Sequence, residues 1–182
     1  MEAYGGVAME LDQLVIAEGS EWETTVYDVR HLQHWSQPSG PNRDGPPKAL
    51  YWHHSVSRCP HTEPVMQYEW LVAHIASGTY GWPYNFVVFP QGNRSIFYVN
   101  DVDTCRPHTY GHNTDVAICA IGNYEDDHPD GVLPGVMWHL SHGLMVMWGT
   151  ELPVLGHRDA YATACPGKHL YAALKDLQLG TS

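Results

Sequence analysis

The chain has 182 residues, of which 43% are hydrophobic and 12% aromatic, so we expect one soluble globular domain with a sizeable core. Asp and Glu number 20 against 9 Lys and Arg, and the formal net charge of -11 argues against a nucleic acid as the partner. No apolar run reaches the roughly 18 to 20 residues of a membrane span, so we expect no membrane insertion.

Residues 1–47 are predicted to be an N-terminal extension that ends in a linker. Acidic residues stand at the start of the chain where an export signal would carry Lys or Arg, so we expect no signal peptide. The segment TTVYDVRHL (24–32) alternates and is rich in β-branched residues, which predicts an edge strand or part of a linker. The Pro- and Gly-rich stretch 37–47 is typical of a loop, so the main domain is predicted to span residues 48–182.

Three segments of this domain have strand patterns. ALYWHHSV (49–56) predicts a strand that ends in polar residues, and NFVVFPQGNRSIFYV (85–99) predicts a hairpin around a Pro-Gln-Gly-Asn turn. The nearly continuous apolar run DVAICAIG (115–122) is typical of a strand that is covered on both faces.

Three further segments have helical patterns. Thr62 is expected to cap a helix from about Glu63 to Ala76, which would stop at Gly78. Apolar residues at helical spacing predict two more helices, over residues 134–148 and 167–180. Strands mixed with helices predict an α/β or α+β domain around one sheet.

The stretch VLGHRDAYATACPGKHL (154–170) brings two metal-binding residue types close together. His157 and Cys165 lie eight positions apart, and Pro166 is expected at the first position of the last predicted helix. Cys165 would then directly precede that helix, where backbone N–H groups and the helix dipole favour the thiolate. One sulfur and one imidazole favour zinc among the common metals, but two ligands do not complete a site.

A third ligand is available at the end of the strand 49–56, where His53 and His54 are neighbours. Because side chains alternate along a strand, only one of the two can face the site. Two His and one Cys with an open fourth position form the arrangement of catalytic zinc. We expect His139 and His142, three apart on a helix, to form a solvated or partly buried face instead.

The other three cysteines, Cys59, Cys105 and Cys119, are too few and too scattered for a disulfide scaffold. With Cys165 at a metal, at most one bridge could form among them. A bridge between Cys59 and Cys105 stays open, but buried thiols are the preferred interpretation.

Four segments follow one another in the order of a known family: YWHHS, GWPYNFVVFPQG, PHTYGHNTDVAICAIGN and LGHRDAYATACPG. Over roughly residues 48–178 the sequence resembles the zinc-dependent N-acetylmuramoyl-L-alanine amidases, in the family that joins phage-type lysozyme-amidases with peptidoglycan-recognition proteins. The resemblance implies an α/β fold with a central mixed β-sheet, flanking helices and Zn²⁺ in a surface groove.

The resemblance also implies a set of site residues. The zinc ligands would be His53, His157 and Cys165. Tyr84 matches a tyrosine that helps to activate water or to steady the tetrahedral intermediate. Thr163 would lie beside the developing oxyanion, where other members carry Lys, a stronger electrophile than threonine.

Three further positions bear on the substrate and on the branch of the family. His108 and Asn113 match a family His and Asn that contact the substrate or hold their loop. Cys119 stands where some of these amidases carry a Glu as general base. The chain therefore resembles the branch that works through Tyr84.

The activity implied is hydrolysis of the amide between N-acetylmuramic acid and L-alanine in peptidoglycan, as in a bacteriolytic phage endolysin. We expect a monomer that is made in the cytoplasm and acts at the bacterial cell wall. Two alternatives stay open: a cell-wall cysteine peptidase that uses Cys165, and a non-catalytic peptidoglycan-binding module.

Overall fold

The computed structural model describes residues 10–32, 41–76 and 82–180. The strands of this part of the chain are β1 (Gln13–Ile16), β2 (Thr24–Asp28), β3 (Leu50–His54), β4 (Phe86–Val88), β5 (Ile96–Tyr98), β6 (Val116–Ala120) and β7 (Val154–Gly156). The helices are α1 (Pro64–Ala76), α2 (Leu133–Trp148), α3 (His157–Ala160) and α4 (Lys168–Gly180), with a 3-10 turn at Arg30–Leu32.

All seven strands form one sheet in the order β1-β2-β5-β4-β6-β3-β7. β3 lies between β6 and β7 and is parallel to both, whereas β4 and β5 form the predicted antiparallel hairpin. The α/β fold with a central mixed sheet flanked by helices is therefore confirmed. Parallel neighbours on both sides explain why every residue of β3 and β6 is buried.

Alternation along β3 divides the core into two layers. Trp52 points to the face that α2 covers, where its indole N–H donates to the Ser141 hydroxyl at 3.1 Å. Leu174 of α4 belongs to the same buried cluster. By the same alternation His53 points to the opposite face, on which α1 packs through residues such as Leu71.

The N-terminal strands are part of this sheet. β2 pairs with β1 on one side and with β5 on the other, so the predicted strand in 24–32 is an inner strand, with β1 at the edge. The division at residue 47 stays a prediction. None of the helices in the described part of the chain combines the length and the hydropathy that a transmembrane span requires.

The end of the first helix and the state of the cysteines were both predicted from the sequence. The predicted helix stop at Gly78 lies outside the described residues. Within them, α1 extends to Ala76. All four cysteines are free; Cys59 and Cys119 are buried thiols, as preferred, whereas Cys105 is a half-buried one.

The predicted start of the last helix is wrong. α4 begins at Lys168, and Pro166 lies before it in a turn that the Gly167 N–H closes onto the Ala164 carbonyl at 2.7 Å. Gly167 has φ +91°, and a Cβ there would lie 2.2 Å from the backbone of Tyr124. The turn is therefore fixed by a distant loop that packs against it.

Candidate metal centre

The end of β3 presents its two histidines to opposite faces of the sheet, as alternation predicts. His53 is 1% exposed and faces Cys165, with 3.5 Å between His53 Nδ1 and Cys165 Sγ. The His54 ring turns away, and its Nδ1 accepts the backbone N–H of Tyr124 at 3.1 Å. His54 still contributes its backbone N–H, which donates to Cys165 Sγ at 3.4 Å.

The short helix α3 positions His157, which is its first residue. Asp159, two residues further on, accepts the N–H of Gly156 at 2.8 Å and so holds the turn from β7 into α3. The Asp159 carboxylate also accepts the hydroxyl of Tyr171 and lies 3.6 Å from Lys175 Nζ. Both partners are on α4, so the helix that follows the site braces the turn that carries His157.

The turn that carries Cys165 is tied to the same short helix. The N–H of Arg158 donates to the Cys165 carbonyl at 3.0 Å, and its guanidinium donates to the Ala164 carbonyl. Thr163 Oγ1 accepts the N–H of Cys165 at 3.2 Å. Glu125 closes the arrangement, because it lies 3.5 Å from the Arg158 guanidinium and accepts the Lys168 N–H at 2.9 Å.

These three elements bring His53, His157 and Cys165 together. One potential ligand atom from each residue lies within 4.8 Å of the other two, and the described residues contain no other such group of three. Zinc bonds of about 2.05 Å to nitrogen and about 2.3 Å to sulfur at a tetrahedral angle place the two atoms about 3.6 Å apart. The 3.5 Å between His53 Nδ1 and Cys165 Sγ therefore fits a zinc ion.

His108 sets the orientation and the tautomer of His53. Its Nε2 lies 3.0 Å from the carbonyl oxygen of Asp115, which can only accept, so His108 carries its proton on Nε2. Burial lowers the pKa of His108 to about 4, so the ring is neutral and its Nδ1 is an acceptor. This nitrogen lies 2.9 Å from the Thr109 hydroxyl and 3.2 Å from His53 Nε2, so both groups donate to its single lone pair. A His53 proton on Nε2 leaves the lone pair of His53 Nδ1 facing Cys165.

Cys165 was expected to be a thiolate because a helix would start directly after it, but its thiol pKa is raised. Burial raises the pKa of the Cys165 thiol to about 11, and only the His54 N–H and the more distant Arg158 charge oppose this. Cys165 does not directly precede α4, so the expected help from the helix dipole is absent. A metal ion would therefore have to displace a proton from Cys165.

Tyr84 lies beside this centre, with its ring centroid 5.0 Å from that of His53. Burial, with added effects of Cys119 and Cys165, raises the pKa of Tyr84 well above its usual value, so the phenol stays protonated. Cys119, the residue opposite His53 in the β3–β6 pairing, lies close enough to the Tyr84 phenol to contribute to this shift. Its own S–H donates to the Ala120 carbonyl at 3.7 Å.

Two buried asparagines that the sequence did not single out fix the backbone around Tyr84. The Asn85 side chain donates to the Asp101 carbonyl at 2.9 Å and accepts the Ala117 N–H at 3.0 Å. Asn100 donates from its amide to the carbonyl of Tyr84 at 2.6 Å. A buried amide directly after a motif tyrosine is the one local sign that could have indicated this role.

The residues predicted to contact substrate lie in one loop. His108 is 6% exposed and touches His53, whereas Asn113 is exposed and turns its amide towards the carbonyls of Arg106 and Thr109. Both therefore support the loop, and their contact with substrate stays a prediction. His139 and His142 lie on the far side of the sheet from His53, partly buried against Trp22, as expected.

No family model matches the sequence, and no curated protein sequence matches it either. Solved structures do match the fold. The endolysin N-acetylmuramoyl-L-alanine amidase LysCS from Clostridium intestinale URNW has a TM-score of 0.63 and 20% identity, and the match covers 84% of this chain and 95% of that one. Drosophila peptidoglycan recognition protein SD has a TM-score of 0.67 and 19% identity, with coverage of 82% and 94%.

A third match is the complex of tracheal cytotoxin with the ectodomains of peptidoglycan recognition proteins LCa and LCx. Its TM-score is 0.63 at 23% identity, with coverage of 81% of this chain and 93% of that one. At these identities the likeness establishes the fold alone. The resemblance inferred from the four sequence segments is confirmed at that level.

Proposed function

We propose that the chain is a zinc-dependent N-acetylmuramoyl-L-alanine amidase that hydrolyses the amide between the lactyl group of muramic acid and L-alanine in peptidoglycan. The observation that carries the proposal is the convergence of His53, His157 and Cys165 on a fold shared with an endolysin amidase. Such an enzyme would be bacteriolytic and would act at the cell wall.

The donor set supports the choice of metal. His53, His157 and Cys165 would hold the ion, and three protein ligands with an open position are the pattern of catalytic zinc. When bound, zinc supplies a Lewis acid that polarises the amide carbonyl and lowers the pKa of water. No Glu or Asp belongs to the group among the described residues, which suits zinc better than a hard ion.

Tyr84 would act on the attacking water, and Thr163 on the carbonyl oxygen of the amide. Tyr84 lies beside His53, and its protonated hydroxyl would hydrogen-bond to the attacking water and orient it. Thr163 accepts the Cys165 N–H through its oxygen, which leaves its hydroxyl proton to donate to the carbonyl oxygen as negative charge develops.

The structure bears directly on the cysteine peptidase alternative. His53 Nδ1 lies 3.5 Å from Cys165 Sγ and His108 orients the ring, so a nucleophile, a base and an orienting group are all present. However, a catalytic cysteine needs a lowered thiol pKa, and burial raises that of Cys165. His157 beside the same sulfur also has no role in such a dyad. Zinc ligation therefore accounts for more of the site.

A binding module without catalysis is the second alternative, because peptidoglycan recognition proteins share the fold. The chain keeps all three ligand residues and a tyrosine beside them. A module that only binds peptidoglycan has no need of this set. We therefore favour the enzyme.

Digestion of purified cell wall tests the proposed function. We expect new L-alanine amino termini and released stem peptides, identified by mass spectrometry, with glycan reducing ends constant. Cys165→Ser should abolish the release, whereas Cys105→Ser, at a half-buried thiol outside the centre, should not. New reducing sugars would instead indicate a glycosidase, and new termini of diaminopimelate or D-alanine a peptidase. Inhibition by a thiol-alkylating reagent but not by a chelator would favour the cysteine peptidase.

A further inference from the structure

Two tyrosine rings lie exposed next to the metal ligands. Tyr110 is 84% exposed and Tyr161 is 53% exposed, and they are the only aromatic side chains among the large exposed apolar ones in residues 10–32, 41–76 and 82–180. Their ring centroids are 6.3 Å apart, although they come from loops 51 residues apart in the chain. Adjacent exposed rings are typical of a surface that binds a ligand.

The rings border a pocket of about 390 Å³ beside His157. One wall is the loop 107–113, which carries Tyr110, and the other is formed by His157 and Tyr161. The Tyr161 ring is stacked with that of His157 at a centroid distance of 6.4 Å. A ligand on the two tyrosines would therefore continue directly into the metal centre.

The lining of this pocket contains no Asp, Glu, Lys or Arg. A second pocket, near the C-terminal end of β6, is by contrast lined by charged residues that include Arg58, Asp127 and Asp130. The two sides of the scissile amide differ in the same way. The stem peptide carries ionised groups, whereas an N-acetylated amino sugar is neutral and has an apolar ring face that can lie on an aromatic ring.

From this contrast we infer that Tyr110 and Tyr161 form a sugar-binding platform for the pyranose ring of an N-acetylated amino sugar on the glycan side of the amide. The inference rests on the proposed function for its substrate. With planes inclined by 51° and centroids 6.3 Å apart, the rings leave no slot between them, so the sugar lies across one bent surface. The glycan strand then runs over the His157 side, and the stem peptide extends away from it.

Kinetics of Tyr110→Ala, Tyr161→Ala and the double variant test this assignment with two substrates. On a disaccharide-peptide we expect KM to rise about three- to tenfold for each variant, because a stacking face is lost. The rise should be absent from a lactyl-peptide that lacks the sugar. Tyr110→Phe and Tyr161→Phe keep the ring and should keep KM. Leu179→Ala, at a 75% exposed position on α4, is the matched control.

A binding measurement separates this inference from the proposed activity. The wild-type protein should bind tetra-N-acetylchitotetraose, which contains no lactyl amide, in a calorimetric or NMR titration, and the double alanine variant should not. Binding through the tyrosines without any amide hydrolysis would sustain the platform and overturn the amidase. Hydrolysis with an unchanged KM in the double variant, or chitotetraose binding that is absent or indifferent to the tyrosines, would overturn the platform alone.

Discussion

Tyr84 is fixed through its backbone. Asn100 donates to its backbone carbonyl, and Cys119 lies close enough to contribute to the raised pKa of its phenol. Because Cys119 lies opposite His53 in the β3–β6 pairing, the same two strands place a candidate metal ligand and a neighbour of the tyrosine side by side.

Removal of the Tyr84 hydroxyl should affect turnover and not the metal. We expect Tyr84→Phe to keep zinc and to lower amidase turnover by about ten- to a thousandfold, the range for one positioned catalytic group. Cys119→Ala should lower turnover less, and only while the Tyr84 hydroxyl is present. The measurement is a double-mutant cycle on turnover, with zinc content determined for each variant.

The double variant decides how Cys119 acts. If Cys119→Ala has no further effect in the Tyr84→Phe background, the sulfur works through the hydroxyl. Additive losses would show that Cys119 only fills the core.

The sequence identified His157 and Cys165 as potential ligands because their types and spacing are local signs. It left His53 and His54 as alternatives, and the choice of His53 came from the resemblance to the amidases. It could not identify what His108 contacts. The 3.2 Å between His108 and His53 depends on how the loop before β6 packs beside β3; the two residues are 55 positions apart in the chain, and no periodicity encodes such a distance. A cysteine peptidase needs a group that orients its histidine, and the sequence did not reveal one. The structure shows that His108 lies in that place beside His53.

At the scale of elements, one segment supplies two of the three candidate ligands. β7, α3 and the following turn carry His157 and Cys165, and Asp159 and Arg158 tie this segment to α4 and to the loop at Glu125. Since both ligands move with one segment, the tie at Asp159 should control the affinity for metal.

Asp159→Ala should therefore weaken zinc binding by about tenfold while the fold is retained. The Gly156 N–H and the Tyr171 hydroxyl lose their acceptor, and α3 is no longer held at its start. Competition against a chromophoric chelator gives the affinity, and circular dichroism reports the fold. Asp176→Ala, at an exposed carboxylate on α4, is the control. An affinity equal to that of the control would show that α3 is held by other contacts.

Elements with strong patterns were predictable, and the hairpin, the buried strands and the long helices are confirmed. The error at the start of α4 has a physical cause. Proline at the first helical position is a local preference, and here the packing of Tyr124 and Glu125 against Gly167 overrides it. β2 became an inner strand because β1, which the pattern did not reveal, pairs with it.

For the whole molecule, a metal ion would join β3 to the segment between β7 and α4. Binding to the folded state at a free zinc concentration of about a thousand times Kd adds about 4 kcal/mol to the free energy of unfolding. For a chain of this length we expect a chelator to lower Tm by roughly 10 °C. Calorimetry with and without chelator measures this, together with metal analysis of the purified protein.

Two variants complete that measurement. Cys165→Ser should have a low Tm that the chelator no longer changes, and Cys105→Ser should respond as the wild type does. A wild-type Tm that is indifferent to the chelator, in a protein without bound zinc, would contradict a resident metal.

The order of the strands has a practical consequence for immobilising the protein. β1 is the first strand in the sheet and β3 the sixth, so five spacings of about 4.8 Å place them about 24 Å apart. Val15 on β1 is 40% exposed and offers an attachment point for a tether. A bead or electrode linked there would lie across the sheet from His53, and insoluble peptidoglycan could still reach the candidate metal centre.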